Sequence, residues 1–267
     1  MAADRERLRR TFTEDAELYD RARPGYPAGL FDEIPRGSRV LEIGCGTGQA
    51  TIPLAERGCR IVAIELGEEL ARLARRKLAG FPDVEIVNAA FEEWPLPPEP
   101  FDVVLAATSF HWIDPAVRVA KAADALRPGG TLAVISTHHI SGGTEPFFAE
   151  VQRCYERFDP DTPPGLTLQP AVALPSDSAE IDASGRFGVS RFRRFEWERG
   201  YTTAEYLDVL STYSNHRALP ADARAGLLGC IAALIDGRYG GRIVKRYLTL
   251  LRLSDTRLSD TRLPDGR

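Results

Sequence analysis

Residues 40–49 read Val-Leu-Glu-Ile-Gly-Cys-Gly-Thr-Gly-Gln, with glycines at 44, 46 and 48. Such a loop lets the backbone turn sharply and approach a ligand closely. A β-branched run precedes it and a helical pattern follows, which puts it at the carboxyl end of a strand, where open parallel sheets bind ligands. A dinucleotide fingerprint would read G-x-G-x-x-G and seat pyrophosphate on the helix N-terminus. Here the third glycine comes one residue early, and position 49 is Gln. Glu42, just ahead of the loop, disfavours pyrophosphate and suits a cationic ligand. An NAD-binding oxidoreductase is the weaker reading on both counts.

Other reactive side chains are scattered. Cys45, Cys59, Cys154 and Cys230 stand singly, without a Cys-x-x-Cys pair or zinc-ligand spacing, so four reduced thiols and no metal are expected. Cys45 lies in the glycine loop, where it needs only to be small, and no partner base is indicated for it. His138 and His139 are neighbours on a predicted strand and point to opposite faces, a poor start for a shared metal. His111 has an unperturbed pKa near neutrality, about 6.5 in general, which suits a catalytic base; packing or a hydrogen bond to a ligand would equally explain it.

The elements that must position these groups alternate along residues 39–136. Strands are predicted at 39–43, 60–64, 84–87, 101–106 and 131–136, with helices at 49–57, 68–78 and 115–126. Strands alternating with helices of this length mean βαβ units, a parallel sheet and helices on both faces. Outside this block, 5–23 and 26–34 read as helices, 187–197 and 242–253 as strands, and 203–212 and 221–234 as helices. Residues 159–185 carry five prolines and little periodicity, which predicts a long loop or lid. The tail repeats Arg-Leu-Ser-Asp-Thr from Arg252 and Arg257 and has few apolar residues, so disorder is expected over 253–267.

With 267 residues, 43% hydrophobic, 27% charged and a formal net charge of −4, the chain has an ordinary globular composition. Its longest apolar runs fall far below the ~18–20 residues of a membrane span, and the charged start shows no secretory pattern. A cytoplasmic protein without a membrane partner is the expectation. The overall charge argues against strong nucleic-acid binding. Residues 186–252 nevertheless carry twelve Lys/Arg against six Asp/Glu. Bordering a cleft, they would favour an anionic small molecule; otherwise they are a solvated surface.

The chain resembles the class I S-adenosylmethionine-dependent methyltransferases. The resemblance rests on Val40–Gly48, on Glu65 closing Ala-Ile-Glu-Leu, on Asn88-Ala-Ala-Phe-Glu-Glu-Trp-Pro95, on Phe101-Asp-Val-Val104 and on Leu126-Arg-Pro-Gly-Gly130. It implies a Rossmann-like seven-stranded sheet whose last strand is antiparallel, and S-adenosylmethionine as cofactor with S-adenosylhomocysteine as product. It also implies cofactor contacts at Glu42, Gly44, Cys45, Gly46, Gly48, Glu65 and Leu66, with Glu65 accepting both ribose hydroxyls. Many relatives carry an Asp for the adenine amino group where this chain has Ala90; Phe91 beside it would pack on the ring. Ala106-Ala-Thr-Ser-Phe-His-Trp-Ile-Asp-Pro115 is similar to the small-molecule, trans-aconitate methyltransferase-like branch, which puts Thr108 and His111 beside the reactive methyl and makes Trp112 a wall. Phe12-x₆-Tyr19-Asp-Arg-Ala-Arg-Pro-Gly-Tyr-Pro27 is similar to that branch too. It implies a helix over the cofactor in which Tyr19 and Arg23 share one face. Arg23 would then meet a carboxylate of cofactor or substrate, or form an exposed salt bridge.

The organisation expected is one domain over 1–252, with a helical cap at 1–35, a cofactor-binding core at 36–136 and a substrate region at 137–252. The activity implied is in-line methyl transfer to a small acceptor. An RNA or protein methyltransferase, or a nucleotide-binding module without activity, shares the same motifs.

Overall fold

A computed structural model describes residues 15–257 except 160, 161 and 164. Seven strands form one sheet in the order β3-β2-β1-β4-β5-β7-β6. They are β1 (Arg39–Ile43), β2 (Arg60–Glu65), β3 (Val84–Asn88), β4 (Phe101–Ala107), β5 (Leu126–Ile140), β6 (Arg191–Thr202) and β7 (Arg242–Asp255). The first five are mutually parallel; β7 runs antiparallel to both β5 and β6. The seven-stranded sheet with its antiparallel last strand is therefore present as the sequence implied.

Alternate strand residues feed opposite faces. Val40, Ile61, Val103 and Leu105 pack with α2 (Thr51–Glu56) and α3 (Glu68–Lys77), together with a 3₁₀ turn at Ala28–Glu33. Leu41, Ile43, Val104 and Leu132 pack on the other face with α4 (Arg118–Ala125). Central strands buried on both sides are continuous apolar runs, as parallel sheets require.

A third, helical layer stands beside β6 and β7. It contains α5 (Glu145–Glu150), α6 (Gln152–Phe158), α8 (Thr203–Ser211), α9 (Ser214–Ala218) and α10 (Ala221–Tyr239), with α7 (Ala179–Ala183) lying apart from it. The sequence pattern does not assign α5, α6 or α9, which are too short to show a helical period. Finally α1 (Ala16–Ala22) crosses the glycine loop, where Thr47 Oγ1 and Lys77 Nζ both donate to Asp20 Oδ1, at 2.7 and 2.5 Å.

Two expectations need correction. Cys154 and Cys230 are not free thiols: they form a disulfide joining α6 to α10, with Cα atoms 5.8 Å apart, while Cys45 and Cys59 remain free and buried. Their 76-residue separation hides a pairing that only the packing of the two helices creates. Residues 253–255 belong to β7, with Leu253 and Ser254 buried, because Thr131–Ala133 of β5 pair with them; only 258–267 of the expected disordered tail lie outside the described residues. Where described, 159–185 is largely the expected loop and does not line the cavity described below; Ile181 packs into the sheet core and Leu174 against Ile140 and Leu248. The N-terminal helix expected from residue 5 is seen from Ala16, its first part lying outside the described residues.

Candidate functional site

The carboxyl ends of β1, β2, β4 and β5 open into a cavity of about 700 Å³, roofed by α1, the start of α9 and β7. That volume falls within the roughly 300–1,000 Å³ of small-molecule sites. The glycine loop forms its floor. Gly44 (φ 72°) and Gly46 (φ 59°) are left-handed, which favours glycine, and a side chain on Gly44 would also strike a neighbour. A Cβ on Gly44 would lie 2.7 Å from Ser109 Cβ, and one on Gly46 would lie 3.4 Å from the Tyr19 ring. Gly48 serves packing instead, facing Leu78 rather than the cavity.

Two carboxylates stand at this end. Glu65, 8% exposed at the tip of β2, accepts from Gly46 N–H and Gly67 N–H, both at 2.8 Å. A carboxylate at a strand tip, held by backbone N–H groups on both oxygens, is a fixed acceptor on the cavity wall. Glu42 lies behind the loop, 1% exposed, and neither of its oxygens has a hydrogen-bond partner. Burial pushes its carboxyl up to about 7; Thr51 pulls the other way, and the Glu65 charge adds to the rise.

At the end of β4, Thr108 adopts φ 54°, unusual for a β-branched residue. Its hydroxyl donates to Ala107 O at 2.7 Å and meets Tyr26 Oη at 2.8 Å, while its N–H donates to Ile135 O at 2.8 Å. His111 follows in a 3₁₀ turn, exposed at the rim with its ring centroid 4.8 Å from that of Trp112. Desolvation by the surrounding wall, then the Arg118 guanidinium, hold its imidazole below the usual value, so it is neutral near pH 7.

The other end of the cavity is basic and aromatic. Arg23 stacks over Tyr19 at 5.2 Å and over Tyr213 at 4.8 Å, and donates to Thr212 O at 2.9 Å. Lys245 and Tyr247 of β7 complete it.

Of the positions singled out in the sequence, Tyr19, Arg23, Gly44, Gly46, Glu65, Leu66, Phe91, Thr108 and His111 line the cavity together, with Trp112. Glu42, Cys45, Gly48 and Ala90 do not. Cys45 turns into the core, its thiol pushed up by burial, and Ala89 lines the wall where Ala90 was expected. Residues 136–139, 213–215, Lys245 and Tyr247 carry no motif signal. Strand register brings the last together with His139, its direct partner across β5 and β7.

Residues 40–130 match the methyltransferase domain family. An uncharacterized methyltransferase of Mycobacterium tuberculosis is 35% identical over 137 residues, covering 51% of this chain and 55% of that protein. The chain thus spans about half the length of that relative. An uncharacterized methyltransferase-like protein of Schizosaccharomyces pombe is 28% identical over 80% of this chain and 82% of its own. Among solved structures, a chain from Anaeromyxobacter dehalogenans, assigned to the type II methyltransferases by name alone, superposes with a TM-score of 0.61. It is 25% identical and covers 87% of this chain and 97% of its own length. The fold is the class I methyltransferase fold. Within it, the cavity occupies the strand ends where such a sheet binds ligands.

Proposed function

We propose that the protein is an S-adenosylmethionine-dependent methyltransferase acting on a small molecule, in the branch resembling the trans-aconitate methyltransferases. The observation that carries the reading is one cavity that brings Glu65 and the glycine cradle together with Arg23 and Lys245. The residues fit the cofactor. Glu65 sets a carboxylate on the cavity wall to receive a ribose diol, Phe91 offers an apolar ring for adenine, and Gly44, Gly46 and Leu66 supply backbone close to the ligand. A cationic amino group bound in front of the loop would favour the charged form of Glu42 behind it, and Tyr19 covers the loop from α1. The cofactor supplies an electrophilic methyl on a good leaving group. The protein's work is then alignment and exclusion of water. Thr108 and His111 border the acceptor side, with neutral His111 available to accept a proton or a hydrogen bond. The basic end favours an acceptor that carries or develops negative charge.

Calorimetry with S-adenosylhomocysteine tests the cofactor site: binding that Glu65→Ala abolishes is expected, and no heat from the parent protein overturns the reading. NAD should give no heat. For the acceptor, methyl-labelled S-adenosylmethionine is supplied with a cell extract separated into metabolite, RNA and protein fractions. Label among metabolites is the expected result; label confined to RNA or protein removes the small-molecule assignment.

A further inference from the structure

The basic end of the cavity contains a buried charge that no acid balances. Lys245 is 4% exposed, and among the described residues no carboxylate pairs with its ammonium. Aromatic rings surround it instead, with the Tyr247, Tyr213 and Tyr206 centroids at 5.2, 5.4 and 5.9 Å. Its Nζ donates to Tyr213 Oη at 3.2 Å. From α1, the Arg23 guanidinium lies 4.8 Å from the same ring. Tyr213 Oη thus accepts from the ammonium, and Tyr213 and Lys245 both line the cavity. Burying an ammonium without a counter-charge is costly, and a phenolate supplies one.

We propose that Tyr213 is the general base of methyl transfer, that Lys245 and Arg23 hold its phenolate, and that the acceptor is an alcohol or a phenol. The proposal rests on the methyltransferase reading and narrows it, since a carboxylate or thiolate acceptor needs no such base. In the step, the acceptor O–H bond breaks and its proton passes to Tyr213 Oη. The freed oxygen pair forms the new O–CH₃ bond as the C–S bond breaks, its electrons remaining on sulfur as a neutral thioether. Negative charge moves from phenolate to acceptor oxygen without leaving the field of the two cations, then cancels the sulfonium charge. Solvent takes the proton from Tyr213 to reset the site.

The surroundings support the assignment. The groups facing Tyr213 are Lys245 and Tyr247 from β7, Tyr201 from β6, Arg23 from α1, Tyr155 from α6, Tyr206 from α8 and His216 from α9. Burial alone would raise this phenol, yet the Lys245 and Arg23 charges and the Lys245 hydrogen bond hold it below the ordinary value. Each of the other seven tyrosines is pushed up, burial being the leading cause. On this proposal Tyr213 is the first of the eight tyrosines of the chain to ionise, and spectroscopy can read it separately.

The test follows phenolate absorbance against pH in the parent protein, Tyr213→Phe and Lys245→Met. A first step equal to one tyrosine is expected below the main transition, absent in Tyr213→Phe and moved up by about 1–3 pH units in Lys245→Met. A titration unchanged by Tyr213→Phe overturns the proposal. The same variants are then assayed with the extract fraction that takes label. Tyr213→Phe should lower kcat by about 10²–10⁴-fold with little change in KM, and abolish the acidic limb of the kcat–pH profile. An unchanged kcat with a raised KM would make Tyr213 a wall and overturn the base role. If S-adenosylhomocysteine binds but no fraction takes label, methyl transfer falls and the base role with it. The low-pH ionisation would still be measured, so the two failures remain distinct.

Discussion

Glu42 shows how one residue can oppose stability while suiting the site. Its folded pKa, about 7, exceeds its ordinary value of 4.5, so between those limits the folded state holds more proton than the unfolded one. Stability therefore falls as pH rises from about 4.5 to about 7, by about 3 kcal/mol in all for a shift of this size. Glu42→Gln should remove that slope, raising the urea midpoint at pH 8 while weakening S-adenosylhomocysteine binding; a midpoint that fell at pH 8 would contradict the account. His139 has the opposite sign. Its ring is buried 4.4 Å from that of Phe148, and desolvation, with the Lys245 charge, pushes it down to about 2. An imidazole held neutral in the fold stabilises above the ordinary His value and loses that contribution as pH falls from about 6.5 towards 2. His139→Phe should flatten the acid limb of the stability–pH curve, measured by denaturant titration from pH 7 to 4.

The elements of the helical layer are individually weak, and their packing carries them. α5, α6 and α9 span six, seven and five residues, below the length at which isolated helices persist in water. Two devices compensate. The capping box of α8 closes its first turn, Thr202 N–H donating to Glu205 Oε2 at 2.8 Å and Glu205 N–H to Thr202 Oγ1 at 3.3 Å. The Cys154–Cys230 bond ties α6 to the long α10. Cross-linking residues so far apart removes freedom from the unfolded chain, typically about 2–4 kcal/mol of stabilisation. Cys230→Ser, or reduction of the parent protein, should lower the urea midpoint accordingly and loosen the layer before the sheet, seen as earlier amide exchange in α6 and α10 than in β4. Equal midpoints with and without reductant would show that helix packing alone suffices. Such bonds persist in oxidising surroundings, whereas the four isolated cysteines had implied a reducing one.

At the scale of the whole molecule, the sequence discloses the half of the cavity built by neighbours in the chain. Strand tip, loop and helix start are contiguous from Val40 to Thr51, and Glu65, Phe91, Thr108 and His111 each follow the end of a strand, so periodicity and motif locate them. Lys245, Tyr213 and Tyr247 are invisible to that reasoning, because they reach the cavity only through the pairing of β7 with β5 and the docking of α9, contacts spanning more than a hundred residues. The roof is equally a product of long-range contacts. Asp20 joins α1 to the glycine loop through Thr47 and to α3 through Lys77, Glu17 meets Arg76 at 2.5 Å, and Arg21 meets Asp208 of α8 at 3.3 Å. Exposed pairs of this kind contribute little singly, about 0–1 kcal/mol. Asp20 differs in being half-buried and in joining two elements at one atom. Releasing it should free α1 from the floor of the cavity without disturbing the sheet. Asp20→Ala is therefore expected to leave the free energy of unfolding within about 1 kcal/mol of the parent, while speeding S-adenosylhomocysteine dissociation several-fold, since changes at such contacts fall mainly on the off-rate. Stopped-flow displacement checks it. An unchanged off-rate would mean that the contacts of Tyr19 and Arg23, among them those of Arg23 with Tyr213 and Thr212 O, suffice to hold the roof.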